Sequence, residues 1–521
     1  MASPVDALPP HLQRYVVDQA YEQYTPRDQA VWRHILKRLR GHLESRAHDV
    51  YLQGLDATGI DLERIPKLET MNEKLAPLGW SAVGVRGFIP PAVFTELQAR
   101  GVLAIAADIR SHEHIAYTPA PDIVHESAGH APILADAAYA RYLKACGEVG
   151  FKAIASAEDR AMFEAIRNLS VVKEDPFSTR DDVVLAESRL AAAAASVRYA
   201  SESTRASRLY WWTAEYGLVG SLEAPRLYGA GLLSSIGEAE HCLTEAVRKV
   251  PLSLACTTTA YDITRMQPQL FVARDFGHLN DVLDAFKQTL AWVRGGDYGL
   301  DEALRSHTVN HLVLQKPSSE LLEFTGEVKE VHRFGRQTGP GLTAAVIELA
   351  GPVMLSKGGV TTEGPKKNAG VVLIGTERLP ARGPFTFTLQ SGVEVSGFVV
   401  EGHEVIDFRV WYAGKQLPVP TWASVAIAEA IPSVAGGPAD PATWDRHFGQ
   451  LDSFTAGSSE AQARKHKADE LPASLAGAYR EVAQMRERRQ PDARRLEALR
   501  RDFKGEALLV EEVVELLERR S

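Results

Sequence analysis

The stretch YTPAPDIVHESAGHAPIL, residues 117–134, carries two histidines, His125 and His130, five positions apart. Two imidazoles and one carboxylate that fill one face of a metal leave the opposite face open. That donor set is the one expected of a non-haem Fe(II) centre that handles O2. The acids near enough to consider are Asp122 and Glu126, with Glu215 further on in LYWWTAEYGLVG. Glu215 is the lone acid of an apolar, aromatic run, and a buried carboxylate there needs a cation to stay ionised. The pattern is not H-E-x-x-H, whose four-residue spacing keeps both imidazoles on one helical face. On spacing alone, two unrelated histidines, a core or surface acid and a packed aromatic cluster are the commoner readings.

The backbone must bring these groups together. On an ideal helix, residues five apart point roughly 140° from each other. Pro121 can start a helix, Gly129 offers an exit from it and Pro132 forbids its continuation. The expectation is therefore a helix that breaks at Gly129, so that His130 swings back towards His125. Upstream, Thr25 and Pro26 read as the N-cap and first turn of a helix carrying Val31, Ile35 and Leu39 on one face. Residues 151–207 read as an alanine-rich helical insertion, two helices joined by KEDPFST. From about residue 320, short β-branched runs separated by Gly and Pro read as strands and turns of a small barrel or sandwich. Residues 475–521 are dense in charge and helix formers. Leu508, Val513 and Leu516 there form an apolar face, read either as a contact with a second copy or as packing on its own domain.

Composition bounds the rest. The chain has 521 residues, 45% apolar and 24% charged, with net charge −9. An acidic balance gives no reason to expect nucleic acid. No run approaches the ~18 apolar residues of a membrane span, and the N-terminus lacks a basic-then-apolar signal. Three scattered cysteines exclude a disulfide framework and fit a reducing cytoplasm.

The segment Pro121–Pro132 also resembles the hallmark P-D-x-x-H-E-x-x-G-H-x-P of the pterin-dependent aromatic amino acid hydroxylases. YWWTAEYGL, YGAGLLSSIGEAEHCL and YDITRMQPQLFVARDF are similar to three further motifs of that family, in the same order. The resemblance covers roughly residues 20–290 apart from 151–207. It implies the hydroxylase fold: a mainly α catalytic domain, a helical basket with few short strands. To this the sequence adds a β-rich C-terminal module and a charged helical tail. The expected divisions are 1–315 for the catalytic domain, 320–432 for the β module and 433–521 for linker and tail. No animal-type sensing domain is expected ahead of the catalytic region.

Residue by residue, the resemblance implies iron ligands His125, His130 and Glu215. Arg110 matches the clamp for the substrate carboxylate, and Thr118, Asp122 and Ser234 match positions around that amino acid. Trp211 matches the wall of the ring pocket. Gly87, Ile89, Glu126 and Tyr210 match the pterin site, with Glu126 also given a catalytic role in positioning pterin or water. Glu238 matches a supporting acid. The implied cofactors are Fe(II), a tetrahydropterin cosubstrate and O2. The implied reaction is ring hydroxylation of an aromatic amino acid, phenylalanine before tyrosine or tryptophan. Departures are Ala120, where the family has glutamate, and the 85 residues between His130 and Glu215. The substrate-selecting loop is expected near RGGDYGLDEALRSHTV. Two other readings stand beside this one: a zinc hydrolase with Glu126 as general base, and a non-catalytic scaffold.

Overall fold

The computed structural model describes residues 4–519 except 88, 113–114, 116–121, 176, 264 and 449–470. Thr118, Ala120 and Pro121 lie outside the described residues.

The helix Pro26–Leu43 starts where its cap residues require. The Thr25 side chain accepts from the Asp28 backbone, and the Asp28 carboxylate returns the bond to the Thr25 N–H. Val31, Ile35 and Leu39 are sealed in the core. Residues 81–106 form a β-α-β unit. Strands Ser81–Val85 and Val102–Ala106 pair in parallel, linked by the helix Pro91–Ala99. A second small sheet runs in the order Pro225–Leu227, Leu218–Gly220, Gln269–Ala273, Arg248–Pro251. Everything else that surrounds these strands up to residue 287 is helical or loop, a basket with few strands.

The insertion is a helical hairpin, Ala157–Glu174 and Arg180–Ser196. Capping boxes at Ser156/Asp159 and Thr179/Asp182 set both starts. Its two helices span less than residues 151–207. Residues 151 and 152 finish the helix Ala137–Lys152, and 202–207 belong to the core helix Glu202–Tyr210. The second hairpin helix lies outside the core: Ala186 is its one buried residue among those described.

The β region is one continuous hydrogen-bonded network of eleven strands among the described residues, its buried apolar side chains gathered in two clusters. It begins earlier than residue 320. Strand Val309–Gln315 alternates inward and outward and pairs with Leu321–Arg333 on one side and Ala430–Gly436 on the other. Most pairs are antiparallel, but Ala369–Ile374 runs parallel to Ala423–Ala428.

The tail forms three helices, Ala473–Arg488, Ala493–Asp502 and Ala507–Glu518. Leu508, Val513 and Leu516 are buried in the same apolar core as the helix Pro26–Leu43. The face read as a contact with a second copy is therefore spent within the chain. Charge fixes its seat. Arg33 Nε and Nη2 donate to both oxygens of Glu512 at 2.8 and 2.7 Å, and Arg486 Nη2 donates at 3.1 Å. Arg33 and Glu512 are only 5% and 4% exposed. Removing one partner of such a pair leaves a buried charge uncompensated. Glu512→Ala is expected to cost roughly 3–5 kcal/mol in chemical unfolding, whereas Glu512→Gln, which keeps the hydrogen-bonding oxygen, should cost less.

Candidate metal centre

His125 and His130 do not need a break between them. Residues Val124–His130 continue as a π-helix. Its hydrogen bonds run from i to i+5, so residues five apart stack on one face. The expected exit at Gly129 does not occur. Gly129 is required for a different reason: a Cβ there would sit 2.8 Å from the carbonyl oxygen of Ala230, so the glycine admits the neighbouring helix Ala230–Leu233. Glu215 arrives by the same device. The helix Glu202–Tyr210 widens into a π turn, Trp211–Glu215, which ends with its carboxylate facing the histidines.

The three side chains converge. Glu215 Oε2 lies 3.2 Å from His125 Nε2, and Oε1 lies 3.1 Å from His130 Nε2. All three donor atoms fall within 4.8 Å of one another. Ligand atoms held at about 2.1 Å from one ion and at right angles stand about 3 Å apart. The donor set therefore fits a metal bound through one face, and it is the only such group among the described residues.

The surroundings fix the protonation of His125. The Ser234 hydroxyl has one proton and donates it to the carbonyl of Ala230 at 2.7 Å. Its contact with His125 Nδ1 at 3.0 Å must then be one in which the ring N–H donates. In the neutral ring, Nε2 would then carry the lone pair that faces the centre. Burial works against charge on this imidazole, but the carboxylates of Glu215, Glu126 and Asp122 raise it to about 9. Burial also opposes charge on Glu215, and the two histidines overcome it, holding the carboxyl far below its usual range. Without an ion, the trio shares its own protons; an ion would replace them.

Behind the π-helix, Arg110 and Asp122 make a buried two-pronged pair, Nε to Oδ2 at 2.7 Å and Nη2 to Oδ1 at 2.8 Å. Asp122 also accepts from the backbone N–H groups of Arg110 and His125. Burial pushes its carboxyl up, and Arg110 more than reverses that. One acid thus ties the arginine to the first turn of the π-helix. Nη1 of Arg110 makes no bond among the described residues.

A cavity of about 640 Å³ opens on the centre, with Arg110, His125, Glu215, Trp211, Tyr210 and Ser234 in its wall. Trp211 is sandwiched by two tyrosines, Tyr216 at 4.5 Å and Tyr261 at 4.3 Å between ring centres. Tyr210 accepts from Gln98 at 2.9 Å and packs edge-on against Phe94. Burial pushes the Glu238 carboxyl, also in the wall, up to about 7. Tyr216, Tyr261 and Phe94 were not singled out from the sequence. The two tyrosines stand inside recognised motifs, but nothing local says that they stack on Trp211.

Other expected residues stand apart. Gly87, at φ +60°, and Ile89 lie on the loop after strand Ser81–Val85 and outside the cavity wall. Glu126 sits beside the ligands, and burial raises its carboxyl against the pull of both imidazoles. The stretch expected to select substrate forms helices Ala291–Arg294 and Gly296–Ser306, whose Ala291, Leu300 and Ala303 pack on the large sheet. None of it reaches the cavity; the wall on that side is built by Tyr261, Ile263, Arg265 and Met266. The hairpin 157–196 contributes nothing to the wall either.

Residues 15–170 and 184–298 match the family model of the biopterin-dependent aromatic amino acid hydroxylases. The gap between the two stretches falls in the hairpin. The phenylalanine-4-hydroxylase of Chromobacterium violaceum is 28% identical over 275 residues, 53% of this chain and 75% of the relative. That of Caulobacter vibrioides is 30% identical over 286 residues, 55% of this chain and 79% of the relative. Among solved structures, the Chromobacterium violaceum phenylalanine hydroxylase with bound oxidised Fe(III) is 29% identical, with a TM-score of 0.42, covering 53% of this chain and 84% of that one.

Proposed function

The chain belongs to the biopterin-dependent aromatic amino acid hydroxylases, and from that premise we propose that it hydroxylates the ring of an aromatic L-amino acid, phenylalanine first, with Fe(II), a tetrahydropterin and O2. The choice of phenylalanine rests on the relatives' names. The observation that carries the reading is the face of three donors, with His125 and His130 at 3.2 and 3.1 Å from the Glu215 carboxylate, beside a cavity sized for an amino acid and a cosubstrate. When bound there, iron and reduced pterin supply the activation of O2, one atom going to the ring and the other to the pterin, which gives up two electrons.

The chain's own residues bind, orient and exclude water. Ser234 holds the His125 ring so that Nε2 faces the ion. Arg110, braced by Asp122, offers its outer N–H groups to the substrate carboxylate. Thr118 takes its substrate-side role from the resemblance alone. Trp211, stiffened by Tyr216 and Tyr261, forms the apolar wall for the aromatic ring. Gly87, Ile89, Glu126 and Tyr210 are assigned to the pterin, with Glu126 close enough to the ligands to position a water. The three cysteines are free and buried, which fits a reducing cytoplasm, where we place the reaction. No described helix is long and apolar enough to cross a membrane.

The test is anaerobic loading with Fe(II), then air, tetrahydropterin and separate phenylalanine, tyrosine and tryptophan, with mass spectrometry of the products. Iron-dependent tyrosine from phenylalanine is the expected result. Stoichiometric zinc with pterin-independent hydrolysis, or iron without product from any of the three, would overturn it.

A further inference from the structure

A second cavity, about 320 Å³, lies at the junction of the catalytic unit and the C-terminal helices. Its walls come from the segment 19–24, the start of the helix Pro26–Leu43, the chain just past strands Ser81–Val85 and Val102–Ala106, and the helix Ala473–Arg488. Three guanidinium groups line it, Arg27, Arg86 and Arg480, against two carboxylates, Asp28 and Asp108. Asp28 is occupied by the Thr25 cap. The Arg86 Nε is buried and makes no hydrogen bond, its nearest acid being Asp108 at 3.8 Å. Arg480 has no ion pair among the described residues, although the tail around it is threaded with pairs. Arg86 and Arg480 thus line one cavity with no hydrogen-bonded carboxylate among the described residues, and Tyr479 lines it beside them.

We propose that this cavity binds the oxyanion group of a small organic molecule, a phosphate or carboxylate, bridging Arg86 on the catalytic unit to Arg480 on the tail. Planar guanidinium groups recognise such groups through paired N–H donors. The location gives the ligand leverage. Arg86 directly precedes Gly87, and Ile109, also in the wall, directly precedes Arg110. The bound molecule is an effector that ties the tail to the roots of both loops. This assignment depends on the cavity and its cations, not on the reaction proposed above.

The experiment is calorimetric titration of the full-length, iron-loaded protein with pyrophosphate, inorganic phosphate and citrate, alongside Arg480→Gln and Arg86→Gln. The wild type is expected to bind at least one of them saturably and more weakly as salt is raised. Arg480→Gln, whose side chain is exposed, should weaken binding at least about tenfold, the loss of one charge-assisted contact, with an unchanged melting temperature in the absence of ligand. Preference for the phosphates or for citrate identifies the source of the anion. If none binds at millimolar concentration, or both variants bind like the wild type, the site does not exist.

Discussion

Glu215→Gln is expected to yield a folded protein that holds less than a tenth of the wild type's iron and turns over at least about a hundredfold more slowly. The substitution keeps size and one acceptor oxygen, so the π turn and the packing of Trp212 and Ala214 beside it should survive. What goes is the only negative charge among the three converging donors. Groups that merely orient a ligand are worth about 10–100-fold in affinity or activity, and a donor itself should exceed that. The measurements are metal content by mass spectrometry, circular dichroism and initial rate under saturating pterin. Glu126→Gln is the internal comparison. Its carboxylate is a sequence neighbour of His125 but not one of the converging atoms, so iron should stay at wild-type content while the rate falls. A Glu215→Gln protein with full iron and full rate would remove the carboxylate from the ligand set.

The three side chains that converge could be picked out from the sequence, but their geometry could not. A period of 3.6 residues puts His125 and His130 on different faces, and the natural repair was a break at Gly129. The chain instead widens its helix, and its glycine serves a contact with a segment a hundred residues away, where Ala230 leaves no room for a side chain. Local propensity carries no trace of such a choice. Tyr261 illustrates the same limit: it stacks on Trp211 across fifty residues of chain. At the tail, the alternation of charge and leucine showed helices with an apolar stripe. A stripe states that a partner is needed, not which chain provides it, and here the partner is the chain's own first long helix. The strands were legible from β-branched runs between turn residues, but the parallel neighbour of Ala369–Ile374 comes from beyond four intervening strands, an order that no local pattern encodes.

Arg110→Met should raise the KM for phenylalanine about a hundredfold, leaving iron content intact and kcat reduced far less. The size follows from losing one or two charge-assisted hydrogen bonds, each worth roughly 1.5–3 kcal/mol. The structure complicates the reading, because the same guanidinium is the buried counter-ion of Asp122. Removing it strands a carboxylate that also braces the first turn of the π-helix through the His125 N–H, so a loss of local order would also raise KM. Two comparisons separate the causes. Arg110→Met with Asp122→Asn removes both charges and should recover melting temperature without recovering affinity for phenylalanine. Phenethylamine, which has the ring and the amine but no carboxylate, should be bound as weakly by the wild type as by the Arg110→Met protein. A defect equal in proportion for phenylalanine and phenethylamine would make Arg110 a strut of the ligand helix and not the grip on the substrate.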